Sequence, residues 1–468
     1  MASFALFDVD ILTVLIDYLH EPNPKTEMET RFSIQSIEKL LKIGNKIFNV
    51  KLHKVLSNKR NLRLDIHDKK IPHCLLKYID IVSASTSFDV TYNNAFWAGL
   101  FTNLPNAYRL ELHDACRINN CLDRLALLPK LSSLRIDISF SWSHLESNVI
   151  LSNLKIMSMH ITKYPCFDFA PNLEKLTIKA KCVKSKQPLI LNGMQKLKSF
   201  YFMSNSCFEY VIPCVKLETL CLDGVAKIPV ECFACLSKIK TLIYASTAEL
   251  DIAYNNLFFK NLERNGQNIQ TLKLWFKTNG SYYDPIIRSA TYSNLTSITL
   301  VNAIIDISKI VDLHLVALNL CMVLIEKPAM ISQISTLKTL SIMGCCAATK
   351  QLSKKDYIVV LPAKVTEIIY SYPCSKQSIL IILQDLFNVR TIHCEYKLDH
   401  SLLKFMSKFV EKFANKIQTR RLIIHEDSPM DRIKVEKYTD IIKEHIPITF
   451  TRETYKSWMF FDGYDAMT

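Results

Sequence analysis

Apolar and polar positions alternate in one short pattern that returns along most of the chain. An apolar residue, two polar ones, a second apolar residue and then an apolar-polar-apolar pair recur fourteen times at a mean interval of about 24 residues. The clearest copies are LPKLSSLRI at Leu128 to Ile136, LSNLKIMSM at Leu151 to Met159, APNLEKLTI at Ala170 to Ile178, ISTLKTLSI at Ile334 to Ile342 and LFNVRTIHC at Leu386 to Cys394. The closing pairs fall at 110/112, 134/136, 157/159, 176/178, 200/202, 220/222, 242/244, 272/274, 298/300, 318/320, 340/342, 368/370, 392/394 and 422/424. Side chains alternate across a strand, so each pair predicts a short strand with two residues in a core and their neighbours on the opposite face.

Between the strands the pattern predicts helices. The clearest runs from Leu402 to Ile417, where Leu402, Met406, Phe409, Phe413 and Ile417 form a stripe at helical spacing. On the same helix Lys404, Lys408, Lys412 and Lys416 form a solvated face. Leu62/Leu64 and Ile79/Ile81 are candidates for two further strands, and Val435 to Phe450 for a closing helix and strand followed by WMFFDGY.

These segments resemble leucine-rich repeats. The resemblance implies an α/β solenoid with parallel strands on its concave face. Such repeats usually carry Asn or Cys three residues after the strand pair; here only Asn205 and Cys345 do, while Ala115, Val225 and Ala303 occupy other copies. With steps of 19 to 30 residues, irregular repeats are expected.

The first 60 residues differ. Phe7-Asp8-Val9-Asp10-Ile11-Leu12-Thr13-Val14-Leu15-Ile16-Asp17-Tyr18-Leu19 is similar to the first helix of an F-box, LP-x-E-[VI]-L-x-x-I-[LF]-x-[YH]-L, with Phe7-Asp8 replacing the opening Leu-Pro. Asp8 is placed to cap that helix. Ile34 to Val50 resembles the remaining F-box helices, and Asn45-Lys46-Ile47-Phe48-Asn49 matches the family's VNKxFN ending. The resemblance implies docking on a Skp-type adaptor, and through it on cullin, with Phe7, Ile11, Leu12, Leu15, Ile16 and Leu19 as contact residues. F-boxes commonly precede leucine-rich repeats in one chain. The alternative is a helical cap that only covers the first repeat. The expected organisation is an F-box-like domain at 1–60, repeats at 61–426 and a cap at 427–468.

Composition agrees with continuous folded structure. At 468 residues and 49% hydrophobic, the chain exceeds what one compact core holds, and 8 Gly and 16 Pro are too few for long linkers. Fifteen scattered Cys point to a reducing cytosol or nucleus rather than a disulfide framework, although Asn279-Gly280-Ser281 and Asn294-Leu295-Thr296 are glycosylation triplets. Asp8, Asp10 and Asp17 interrupt the apolar N-terminus, which does not read as a signal peptide, and no later run reaches membrane-spanning length.

No catalytic or cofactor motif is present, so an enzyme is not expected. Cys232 and Cys235 form one C-x-x-C, too few ligands for zinc, and His113, His160, His393 and His425 fall on different repeats. The net charge of +14 does not sit on the predicted binding face. There Arg109, Arg135, Lys175, Lys179, Lys273 and Arg421 nearly balance Glu111, Asp137, Asp223, Glu367 and Glu395, which argues against nucleic acid. The same face presents Tyr201, Met203 and Trp275, with Arg135, Lys175 and Lys179 as a basic patch, and these six are the candidate contacts for a protein target. Sequence and resemblance together predict a substrate receptor of an SCF-type ubiquitin ligase, or else a leucine-rich scaffold without a ligase.

Overall fold

The computed structural model describes residues 46–58, 62–66, 73–85, 94–113, 122–140, 149–161, 167–180, 189–191, 193–204, 211–212, 216–224, 228–247, 252–277, 285, 287, 291–343, 346–347, 362, 364–371, 389–395, 407–408, 410–417, 419–425 and 438–451. It divides into two compact units, Met1–Lys216 and Leu217–Thr468. Both have the leucine-rich-repeat solenoid fold. The predicted F-box contact residues Phe7, Ile11, Leu12, Leu15, Ile16 and Leu19 lie outside the described residues.

In the first unit the strands Arg63–Ile66, Ile81–Ser85, Arg109–His113, Ser133–Phe140, Ile156–Ile161, Lys175–Ala180 and Ser199–Ser204 pair in parallel, each with the next. In the second unit the parallel series runs through Thr219–Gly224, Thr241–Thr247, Thr271–Lys277, Ser297–Val301, Ala317–Cys321, Thr339–Met343, Glu367–Ser371, Thr391–Glu395, Arg421–His425 and Ile448–Thr451. The predicted pairs stack in register within each unit: Leu110 lies beside Leu134, Leu134 beside Met157, Met157 beside Leu176 and Leu176 beside Phe200.

A third apolar residue, three positions before most pairs, completes the repeat's core; before Leu422 the position is Thr419. Leu154, Met157 and Met159 are fully buried, as are Leu295, Ile298 and Leu300. Each such side chain contributes roughly 1.5–3 kcal/mol by leaving water.

Two further strands form at Arg63–Ile66 and Ile81–Ser85; Leu62 and Leu64 are both buried as expected, whereas the inward pair of the second strand is Val82/Ala84, not Ile79/Ile81. Ile79 is buried as the leading residue of its repeat, so its apolarity does not mark the strand.

Among the described residues α-helix between strands lies in the longer repeats: Asn94–Thr102, Ile252–Asn265 and the helical residues 407, 408 and 410–413 occupy steps of 28, 30 and 30 residues between strand pairs, and helical residues 438–443 a step of 26. Shorter steps close with one 3-10 turn, such as Leu122–Leu127 and Pro328–Gln333, because a few residues must span the repeat.

Leu402, Met406 and Phe409 lie outside the described residues; among the described positions of this stretch Ser407 and Val410 are buried, while Phe413 and Ile417 are half-buried. The helix passes into the 3-10 turn Ala414–Lys416, whose three-residue turn breaks the predicted phase. Lys408, Lys412 and Lys416 are exposed as expected.

An asparagine ladder does exist, placed before the strand rather than after it. Four residues ahead of the inward pair, Asn106, Asn153, Asn172, Asn268 and Asn294 donate from Nδ2 to the carbonyls of Lys77, Pro129, Ser152, Ser237 and Gln267 in the preceding repeat, at 2.6 to 2.9 Å. Thr336 repeats the contact through Oγ1 to Leu315 at 2.8 Å. Beside this ladder one carbonyl accepts two successive amides of the next repeat, as Ser132 does from Lys155 and Ile156, both at 2.9 Å. Together these bonds satisfy turn backbone that would otherwise be left without partners. Asn294 spends its amide here, so the triplet Asn294-Leu295-Thr296 has a structural use for its asparagine.

In the second unit the helix Ile252–Asn265 lays Tyr254, Phe258 and Phe259 against the strands. The Phe258 ring lies 4.7 Å from Tyr244, 5.4 Å from Phe259, 5.9 Å from Phe233 and 6.2 Å from Tyr254. The Tyr244 hydroxyl, buried with the ring, donates to Asn255 Oδ1 at 2.7 Å. Gly266 ends this helix where a Cβ would meet Tyr292 Cε1 at 2.9 Å, so only glycine fits without displacement.

Candidate functional site: the sheet face opposite the core

Each strand places three residues on the face away from the core, so the face is a grid of columns running across the repeats. In the first unit the columns hold Arg63, Arg109, Glu111, His113, Arg135, Asp137, His160, Lys175, Lys179, Tyr201 and Met203, with the small residues Ser83, Ser158 and Thr177 between them.

Two carboxylates organise the charged part. Glu111, with only 2% of its side chain exposed, is approached by Arg109, by Arg63 at 3.2 Å and by His113 Nε2 at 3.5 Å. His113 turns its other nitrogen, Nδ1, to Asp137 Oδ2 at 2.9 Å, and Arg135 Nε donates to the same oxygen at 2.7 Å. His160 Nε2 lies 3.9 Å from the second oxygen of Asp137. The histidines at 113 and 160, expected to be dispersed, therefore converge on one acid. The signal was present in the sequence: residues at i and i+2 share a strand face, which puts Arg109, Glu111 and His113 together and Arg135 beside Asp137.

The electrostatics follow from this geometry. Burial alone would raise the Glu111 carboxyl, but the His113 hydrogen bond and the charges of Arg63, Arg109 and His113 hold it below the usual range. Burial likewise opposes ionisation of Asp137, and His113 and Arg135 overcome it. His113 is raised to about 9, chiefly by its hydrogen bonds to Asp137 and Glu111.

A raised histidine stabilises the fold fully below its ordinary value near 6.5, and the contribution fades as pH rises through about 9. The depressed carboxylates contribute above their ordinary range near 4 and lose that contribution in acid. The network is therefore strongest between about pH 4.5 and 6.5.

Beyond the network the face changes character. Lys175 Nζ sits 5.2 Å from the Tyr201 ring centroid, a cation–π contact of roughly 0.5–1 kcal/mol at such a site. Partial burial lowers the Lys175 pKa. Lys179 and Met203 are register neighbours on the adjoining strands, and all four side chains are partly exposed.

The expected contact residues of the first unit thus share one face, but Arg135 is part of the mixed-charge network. In the second unit Trp275 also faces away from the core and is partly exposed, in a row with Ala245, Val301 and Cys321 on successive strands. Columns beside it carry Thr219, Thr241, Thr271 and Ser297. Further along, His393 Nε2 meets Glu367 Oε1 at 2.7 Å, and that bond is the main cause holding the Glu367 carboxyl below its usual range.

Among the described residues there is no group of three or more His, Cys, Asp or Glu able to hold a metal ion. Cys232 lies on the 3-10 turn Val230–Lys238 with Cys235, which is buried, and neither forms a disulfide. Among the described residues no helix is long and apolar enough to cross a membrane.

No family model matches the chain, and no curated protein does. Solved leucine-rich-repeat structures resemble it at low identity. A chain of the TLR13–ssRNA13 complex is 13% identical, with 78% of this chain and 51% of that chain covered and a TM-score of 0.47. This chain thus spans about half the length of that neighbour. The leucine-rich-repeat domain of APL1 is 13% identical over 69% of this chain and 89% of its own, with a TM-score of 0.30. An internalin, InlF from Listeria monocytogenes, is 13% identical over 81% and 90%, with a TM-score of 0.28.

Proposed function

We propose that this chain is a non-catalytic receptor that holds a protein target on the sheet face of its repeats and docks through its N-terminal segment on a Skp-type adaptor, and so on a cullin-based ubiquitin ligase. The observation that supports target binding is the face itself. Tyr201, Met203, Lys175 and Lys179 in the first unit, and Trp275 in the second, are partly exposed on rigid strands, where large side chains remove much area from water at little entropic cost. Arg135 joins them as a guanidinium held in place by Asp137.

The ligase half of the reading is supported by residue order. The F-box-like helix with Phe7, Ile11, Leu12, Leu15, Ile16 and Leu19 precedes the repeats, as in F-box proteins with leucine-rich repeats. Such a receptor would act by proximity, bringing its target to the charged enzyme. The scattered cysteines suit a cytosolic or nuclear location.

Co-purification with a Skp adaptor tests the ligase half. Wild type is expected to bind, and Leu12→Asp with Leu15→Asp to abolish binding while circular dichroism of the repeats is unchanged. Failure of the wild type to bind the adaptor would leave a leucine-rich scaffold whose N-terminal helices only cap the first repeat.

A further inference from the structure

The charge on the sheet face is unevenly divided. Summed over the chain the face is nearly neutral, but its strand positions in the first unit hold Arg63, Arg109, Arg135, Lys175 and Lys179 against Asp65, Glu111 and Asp137. His113 adds a further positive charge up to about pH 9. In the second unit Lys273, Lys277 and Arg421 balance Asp223, Glu367 and Glu395. The cationic excess of the strand positions therefore belongs to the first unit.

We propose that the sheet face of the first unit binds an extended, carboxylate-rich segment of the target protein, laid across the strands from Arg63 to Met203. This deepens the protein-binding reading above and rests on it. Glu111 and Asp137 act here as positioning residues. Each is held in the sheet and clamps guanidinium and imidazolium groups, so Arg63, Arg109, Arg135 and His113 are oriented before any ligand arrives.

Two strands further on, Lys175 and Lys179 lie between strands whose face positions, Ile156, Ser158, His160, Ser199, Tyr201 and Met203, include no acidic residue. The Lys175 ammonium lies over the Tyr201 ring, and Ile156, 37% exposed, is its register neighbour on the other side.

Spacing favours a chain over a single anionic group. The cations are spread over strands that stack at about 4.8 Å each, so from Arg63 to Lys175 is roughly 24 Å, a distance that about seven extended residues cover. One phosphate reaches only two or three of these side chains, while a run of carboxylates meets them all. A single-stranded nucleic acid would also span the distance, but its bases need aromatic platforms. Among the described face positions of this unit Tyr201 is the one Phe, Tyr or Trp, and Lys175 lies over it.

The test is fluorescence anisotropy with the full chain and four labelled probes: a ten-residue Glu-rich peptide, its Gln counterpart, the same Gln peptide carrying one phosphoserine, and a ten-nucleotide single-stranded RNA. The Glu peptide is expected to bind at least tenfold more tightly than each of the other three, and to lose at least tenfold with Lys175→Glu plus Lys179→Glu. Lys179→Glu alone should lose about threefold, and Lys196→Glu, an exposed residue ahead of the strand, should change nothing. Equal binding of the Glu and Gln peptides, tighter binding of the phosphopeptide or the RNA, or indifference to both face variants would overturn the proposal. A photo-crosslinker at Met203 separates the two levels. Protein crosslinks there without Glu-peptide preference would reject only the acidic chemistry, and an absence of protein crosslinks would reject the protein-binding reading itself.

Discussion

Glu111→Ala is expected to lower stability by about 3 kcal/mol near neutral pH, the low end of what removing one partner of a buried ion pair costs. The low end applies because Arg63, Arg109 and His113 are 39%, 27% and 27% exposed and can recover some hydration once their acid is gone. Glu111 itself is 1% exposed, so its deletion also opens a small void beneath three cations. The loss should depend on pH. In the wild type, stability falls as pH rises from about 6.5 through 9, because His113 loses its proton in the folded state and with it the attraction to Glu111 and Asp137. In the variant one of the two carboxylates that raise His113 is missing, so the decline should still begin near 6.5 but end at lower pH, with a smaller total loss. Urea denaturation between pH 5 and 10, with an NMR titration of the His113 ring, measures both. An unchanged pH profile in Glu111→Ala would show that the network does not stabilise the face.

Phe258→Ala should cost about 4 kcal/mol, within the range for removing a fully buried phenylalanine. The ring is completely buried and touches Phe233, Tyr244, Tyr254 and Phe259, so four aromatic neighbours lose a contact at once. In a repeat array each unit packs chiefly on its neighbours. Amide exchange should therefore rise most in Thr241–Thr247 and Thr271–Lys277, the strands against this helix, and least in the distant strand Ile448–Thr451. A uniform rise across the second unit would mean that the repeats open as one block.

The strand register was legible because two independent signals coincide at most copies: period-two alternation of the strand and a leading apolar residue three positions before it. Where the spacing is less regular the signals separate. Ile79 is as apolar and as buried as a strand residue, and reading it as the start of a strand pair shifts that strand. The helix expected between 402 and 417 is seen at residues 407, 408 and 410–413. In the stripe Leu402 to Ile417, the residues Leu402, Met406 and Phe409 lie outside the described residues, and the 3-10 turn Ala414–Lys416 shifts the phase only at its end.

The asparagine ladder was sought after the strand and lies before it, at Asn106, Asn153, Asn172, Asn268 and Asn294, where the chain turns into the sheet. Its recurrence four residues before the inward pair was visible in the sequence once that pair was known.

Alternation also placed the candidate contact residues correctly on the face: Lys175, Lys179, Tyr201, Met203 and Trp275 all point away from the core and are partly exposed. It could not show partners across strands. The link from Glu111 through His113 to Asp137 and Arg135 depends on which strand lies beside which, and that emerges only when the repeats are stacked. For the same reason the overall balance of charge on the face hid its division between the units.

The central claim is that the sheet face carries the partner. A photo-crosslinking amino acid placed in turn at Met203, Trp275, Lys196 and Lys260 tests it in cells, the last two being exposed positions off that face. The account predicts discrete crosslinked protein species from Met203 or Trp275 and none from Lys196 or Lys260. Crosslinks arising only from Lys196 or Lys260, or equally from all four positions, would contradict it.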